Sequence, residues 1–467
     1  MAQQAIQITT VNPATEEKIQ SYPVMGKAEV EKVVKNANTA FADWKLDYNR
    51  RKACIYNLVR YLHKNKVKLA EIATKEMGKV LKESISEVEK CAWALEFFAD
   101  NGQNFLAEEV LNTDARKSFI TFEPLGTIAS IMPWNFPYWQ ALRFAAPSLI
   151  AGNTIVMKPS SATVQCGIEL EKACYGSAFP EGVFQTVIGS SDTANHLIDA
   201  DVNSITFTGS TKVGALVGQR AATHLKKCVL ELGGSDPFIV LDDANIEKAA
   251  NGAVKGRFIN CGQSCIASKR FFVSKKIAKE FIESFVKIAS RLKVGDPMTI
   301  ENDIGPLVNK AALENISTII EDAKNEDAEI LLGGSEINRK GYYYSPTILT
   351  NVKPGMRIAR EETFGPVAPI TVVEDENEAI NLANDTEFGL GASIWTEDLK
   401  KAEKLSRRIE AGIVSVNNVV ISDPRIPFGG IKQSGFGREL SRYGMLEFVN
   451  IKSVRFYDQL IHHHYVE

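Results

Sequence analysis

Cys265 closes the segment Asn260-Cys261-Gly262-Gln263-Ser264-Cys265, which is small and polar. A structural cysteine ordinarily keeps apolar neighbours, so this thiol is expected to face a cleft and react; a buried structural role is the alternative. Glu231, in Glu231-Leu232-Gly233-Gly234, ends an apolar run. An ionised carboxylate there is costly unless it is paired or stands at a sheet edge, and ligands bind at the carboxyl ends of parallel strands. An ordinary strand-end carboxylate is the alternative. Gly209-Ser210-Thr211-Lys212-Val213-Gly214 follows a strand and precedes a helix. Its glycines would let a helix N-terminus meet a pyrophosphate, unless the segment only turns the chain. No Gly-Lys-Ser/Thr follows, so it is not a P-loop. Gly-x-Gly-x-x-Gly is absent as well: the nearest run, Gly435-Phe436-Gly437-Arg438-Glu439, ends in Leu440 and follows no strand. No metal site is expected. Cys261 and Cys265 lack a second Cys/His pair at finger spacing, and His462, His463 and His464 read as a solvated tail.

These residues need a scaffold, and the apolar pattern describes an α/β one. Val30, Val33, Val34, Ala37 and Phe41 fall on one helical face, Leu58, Val59, Leu62, Leu69 and Ile72 on a second, and the region around Trp93 and Phe98 on a third. Residues 117–122 alternate as an exposed strand before the Pro124-Leu125-Gly126 turn. From residue 127, short apolar runs at 127–132, 154–157, 183–188, 204–208, 229–232 and 238–241 alternate with helical windows, the signature of a parallel, doubly wound sheet. A second α/β series follows Cys265, with strands near 271–273, 330–332, 367–373, 392–395 and 412–416. The alternating segment 451–457 is expected to pair with the strand near Lys117 or with a neighbouring subunit.

At 467 residues the chain exceeds a single core, so two large domains and an appendage are expected. The 54 basic and 57 acidic side chains nearly cancel, which leaves no field for nucleic acid or an anionic membrane and favours a small-molecule partner. The start MAQQAIQITT does not read as a secretory signal, no window is apolar enough to span a bilayer, and seven cysteines without framework spacing suit a reducing compartment. A soluble, cytoplasmic protein is the expectation.

Pro133-Trp134-Asn135-Phe136-Pro137, Lys158-Pro159-Ser160, Phe207-Thr208-Gly209-Ser210, Glu231-Leu232-Gly233-Gly234, Gly262-Gln263-Ser264-Cys265, Glu361-Glu362-Thr363-Phe364-Gly365-Pro366 and Pro427-Phe428-Gly429-Gly430 together resemble the aldehyde dehydrogenase superfamily, in the family's order and over nearly the whole chain. The resemblance implies two doubly wound α/β domains. The cofactor-binding domain would cover 1–104 and 124–232, the catalytic domain 233–440, and a small β oligomerisation element 105–123 and 441–467, assembling a homodimer or homotetramer. It makes Cys265 the nucleophile that attacks an aldehyde, Asn135 with the Cys265 backbone N–H the oxyanion holders, and Glu231 the base that activates water for thioester hydrolysis.

The cofactor contacts implied in the same way are Trp134, Lys158, Gly209, Ser210, Leu232, Glu362 and Phe364. NAD-preferring relatives follow Lys-Pro-Ser with Glu, which repels a 2′-phosphate; this chain has Ser161, so NADP is expected as the preferred cofactor, with NAD as the alternative. Arg143 matches an arginine of succinate-semialdehyde dehydrogenases, but their second arginine position is Ile259 here. Half of a carboxylate clamp is therefore missing. A short polar aldehyde, glyceraldehyde or lactaldehyde, is the expected substrate, with succinic semialdehyde as runner-up. Arg143 would hydrogen-bond it, Tyr138 and Trp139 would narrow the tunnel, and Arg257 would restore the clamp only by swinging in. Glu231 argues against the coenzyme A-acylating branch, and the joint presence of Cys265, Glu231 and Asn135 argues against a non-catalytic relative with the same fold.

Overall fold

The computed structural model describes residues 6–458. The His462–His464 run lies outside them. A hairpin, Gln7–Asn12 with Glu17–Pro23, precedes three long helices, Lys27–Trp44, Tyr48–Met77 and Leu81–Phe105. Their stripes face inward as the spacing requires: Val30, Val34 and Ala37 are buried, as are Leu58, Leu62 and Leu69. Trp93 turns outward while Phe98 is buried.

A six-stranded sheet runs in the order Gly435–Phe436, Lys227–Glu231, Ser204–Thr208, Thr127–Ile131, Thr154–Lys158, Phe184–Thr186, parallel except for the short first strand. The chain leaves Thr127–Ile131 to one side and later returns to its other side. That reversal creates a crevice at the carboxyl ends, the place where doubly wound sheets bind ligands. The helix Pro137–Ala151 starts at this crevice and is buried along its whole length.

A seven-stranded sheet holds Glu329–Leu332, Thr347–Thr350, Val367–Val373, Ser268–Ser274, Asp236–Val240, Gly391–Trp395 and Ile413–Val416, with only Glu329–Leu332 antiparallel to its neighbour. The run at 238–241, expected to end the first series, belongs to this second sheet. Gly233-Gly234 lets the chain cross between sheets at close quarters: a Cβ on Gly234 would stand 2.9 Å from Cys265 O, and one on Gly233 2.5 Å from Glu362 Oε2. The strand Val449–Phe456 pairs antiparallel with Lys117–Pro124, and Glu109–Leu111 adds a third strand. Among the described residues no helix is long and apolar enough to cross a membrane.

Candidate active site

Cys265 lies just before the Ser268–Ser274 strand, on a loop with a costly backbone. Asn260, Cys261 and Gly262 have φ of 50°, 56° and 71° in succession. Each of the first two costs about 1–3 kcal/mol and must be held by its surroundings. The brace is Arg257, fully buried, whose guanidinium donates to Ser268 O at 3.1 Å, Gly262 O at 3.3 Å, Thr363 O at 3.0 Å and also to Gly365 O. With four carbonyls on its donors it cannot swing into a substrate pocket, which corrects that expectation. Glu83 Oε2 accepts from Asn260 N at 2.9 Å, and Asn260 Nδ2 donates to Asn135 O at 2.8 Å, tying the loop to the segment that carries Asn135.

Cys265, half-buried as a residue, lines a cavity of about 350 Å³. Burial pushes its pKa up to about 11, opposed by Arg143 and Lys269. Lys269 Nζ donates to Cys265 O at 2.6 Å and lies 3.1 Å from Glu362 Oε1, and the latter carboxyl oxygen also accepts from Gly234 N at 3.1 Å. Asn135 Nδ2 donates to Gln263 O at 3.2 Å, leaving its second amide hydrogen free.

Glu231 ends the Lys227–Glu231 strand with both carboxyl oxygens buried and without a hydrogen-bond partner among the described residues. Burial first, and then the charge of Glu439, raise its pKa well above the usual carboxylate range. Glu439 itself forms a buried ion pair with Arg143, whose guanidinium also lies 4.2 Å from the centre of the Phe428 ring. Arg143 does line the cavity. Its charge, however, is already answered by Glu439, so the guanidinium expected to hydrogen-bond the substrate is engaged internally. Trp139 lines the cavity too, but Tyr138 does not. Tyr138 points into the core, its hydroxyl donating to Leu69 O at 2.9 Å, because consecutive helical residues face different ways.

On the other side of the crevice Lys158 ends its strand nearly buried, with no ion pair among the described residues; burial pulls its pKa down to about 8. Ser161 is exposed three residues on. A Cβ on Gly209 would stand 2.4 Å from the Phe207 ring, and the helix Thr211–Thr223 begins at Ser210 with no side-chain cap on its N–H groups. Trp134 and Phe364 meet edge to face, 5.7 Å between centroids. A dinucleotide carrying a 2′-phosphate fits this set: an unpaired cation, a hydroxyl and uncapped helix N–H groups, with no carboxylate beside Lys158. Leu232 contributes packing: its side chain lies under the same helix, where a Cβ on Gly214 would come within 2.3 Å of it.

The helix expected around Trp93 and Phe98 runs from Leu81 to Phe105, but its part in the site was not foreseen. Its Glu83, Ser86, Glu87 and Lys90 follow one another at helical spacing and all line the cavity. Glu87 Oε1 accepts from Tyr138 N and Trp139 N at 2.9 Å each, capping the helix Pro137–Ala151, while Lys79 pairs with Glu87 and donates to Asn135 O at 3.3 Å. Lys90 Nζ donates to Ser422 Oγ at 2.7 Å and stands 4.3 Å over Trp139. The available signal was this charged i, i+4, i+7 series, which without partners looks like a solvated face.

Residues 1–454 match the model of the aldehyde dehydrogenase family. A probable succinate-semialdehyde dehydrogenase (NADP(+)) of Synechocystis is 45% identical over 96% of this chain and 99% of its own length. A succinate semialdehyde dehydrogenase (NAD(P)+) of Escherichia coli is 41% identical over 95% and 97%. The crystal structure of the succinic semialdehyde dehydrogenase from Streptococcus pyogenes in complex with NADP+ superposes with a TM-score of 0.94 at 34% identity, covering 97% of this chain and all of that one.

Proposed function

The chain belongs to the aldehyde dehydrogenase family, and from that premise we propose that it oxidises succinic semialdehyde, or a close aldehyde with a terminal carboxylate, to the carboxylic acid with NADP. The observation that carries this reading is the cavity at Cys265: largely apolar, it has Lys90 and Lys255 in its wall without ion-pair partners among the described residues, while its two carboxylates are subdued. Glu87 is paired with Lys79, and burial pushes Glu83 up to about 7. A short anionic substrate suits that balance better than glyceraldehyde or lactaldehyde, and the relatives' names point the same way.

Lys158, Ser161, Gly209, Ser210, Glu362 and Phe364 would hold NADP. Bound NADP supplies the hydride acceptor of the oxidation. Cys265 Sγ, as thiolate, forms a bond to the aldehyde carbon, and the carbonyl oxygen becomes an oxyanion held by the Asn135 amide and the Cys265 N–H. Loss of hydride leaves a thioester on Cys265. Glu231 then takes a proton from water, the hydroxyl adds to the thioester carbon, and cleavage of the C–S bond releases acid and thiolate. A carboxylate made more basic by burial is suited to that step, provided it is ionised, so turnover rises with pH through the raised pKa of Glu231. The exposed three-stranded sheet, with Val110, Ile451 and Phe456 open to solvent, supports assembly into a dimer or tetramer.

The test is kcat/KM for succinic semialdehyde, glyceraldehyde and lactaldehyde with each cofactor. Succinic semialdehyde should lead by about tenfold or more, the worth of one charge-assisted contact. NADP should outperform NAD, and Ser161→Glu should reverse that order. A lead for either hydroxyaldehyde would overturn the substrate reading, and better turnover of wild type with NAD would overturn the cofactor reading.

A further inference from the structure

The geometry points to Lys90 as the residue that recognises the substrate's carboxylate, with Ser422 beside it; the inference rests on the substrate class proposed above. Four cations lie near this cavity: two are already committed, and a third, Lys255, is exposed and has no hydroxyl or aromatic partner among the described residues like those that hold Lys90. Arg257 is consumed by four backbone carbonyls. Arg143 is paired with buried Glu439, and drawing it toward a substrate would leave that carboxylate unpartnered in the same desolvated space as Glu231. Lys90 has no carboxylate within 4.0 Å among the described residues.

Its setting is prepared for an anion. One of its three ammonium donors is spent on Ser422 Oγ at 2.7 Å, and its charge sits 4.3 Å over Trp139, a face that accepts a cation without neutralising it. Ser422 is 3% exposed, and because its oxygen accepts from Lys90, its own O–H is free to donate. An ammonium and a hydroxyl side by side match the two oxygens of a carboxylate. Lys90 thus answers the absence of an arginine at Ile259: the second cation comes from a different element, the helix Leu81–Phe105, and enters the same cavity.

The test compares wild type, Lys90→Met and Lys90→Arg on succinic semialdehyde and on butanal, reading the ratio of the two kcat/KM values. Lys90→Met should lower that ratio about ten- to a hundredfold, chiefly through KM for the semialdehyde, and Lys90→Arg should restore much of it. A second measurement is independent of folding in the variants. Burial, followed by the charge of Arg143, pulls Lys90 down to about 8, against the smaller opposing pulls of Cys91, Asp423 and Glu87. The wild-type ratio should therefore be full below that pH and fall above it, as the ammonium loses its proton. A wild type that does not favour the semialdehyde over butanal would overturn the substrate reading. A wild type that does, whose ratio survives Lys90→Met or stays level with pH, would overturn the role of Lys90 alone.

Discussion

Glu231, Glu439 and Arg143 form a buried group in which one carboxylate holds the guanidinium and the other is left without a partner among the described residues. Arg143 is engaged by Glu439, and the pKa of Glu231 is raised by burial and by its neighbour's charge. Glu439→Gln should therefore do two things. It breaks a buried pair and costs about 3–5 kcal/mol of stability, read by chemical denaturation. It also removes a negative charge from beside Glu231 and frees Arg143, both of which favour the ionised base. Since turnover needs that ionised form, the acid limb of the kcat profile should move to lower pH. An unmoved limb would show that the two carboxylates do not interact.

At the scale of elements, the site depends on loops pressed closer together than side chains ordinarily allow. Gly262 has φ of +71°, and a Cβ there would stand 2.1 Å from Gly365 O. Gly262→Ala should displace the Cys265 loop, and because a misplacement of about an ångström costs on the order of a hundredfold, kcat should fall by about that factor. Activity within a few-fold of wild type would mean the loop tolerates movement. Buried parallel strands announce themselves as apolar runs, which is why 204–208 and 367–373 match the observed strands residue for residue. The N-terminal hairpin was not legible, since Glu17–Pro23 is almost wholly exposed and lacks an apolar face, and Thr347–Thr350 offers only four residues. Motif residues such as Cys265, Glu231 and Lys158 were legible because their types and spacing recur together. Lys90, Glu83 and Glu87 were not: their meaning comes from Ser422, Asn260 and the Pro137–Ala151 helix, segments far away in the chain. Glu439 was in view only as part of a failed glycine motif, and Arg257, named as a mobile cation, proved to be the brace of the loop.

For the whole molecule, the two sheets meet end to start. Glu231 closes a strand of the six-stranded sheet, Asp236 opens one of the seven-stranded sheet, and Cys265 precedes the next. The proposed nucleophile and base thus come from different sheets joined by Gly233-Gly234, with the crevice proposed for the dinucleotide on one side and the cavity proposed for the aldehyde on the other. Separating the two half-reactions tests this arrangement. Glu231→Gln mixed with NADP and succinic semialdehyde should give a burst of NADPH with little steady turnover, because the thioester forms but is not hydrolysed. Mass spectrometry of the quenched and digested protein should then find the succinyl group on the Cys265 peptide, removable by hydroxylamine. A burst with Cys265 unmodified, or the acyl group on another residue, would contradict the account.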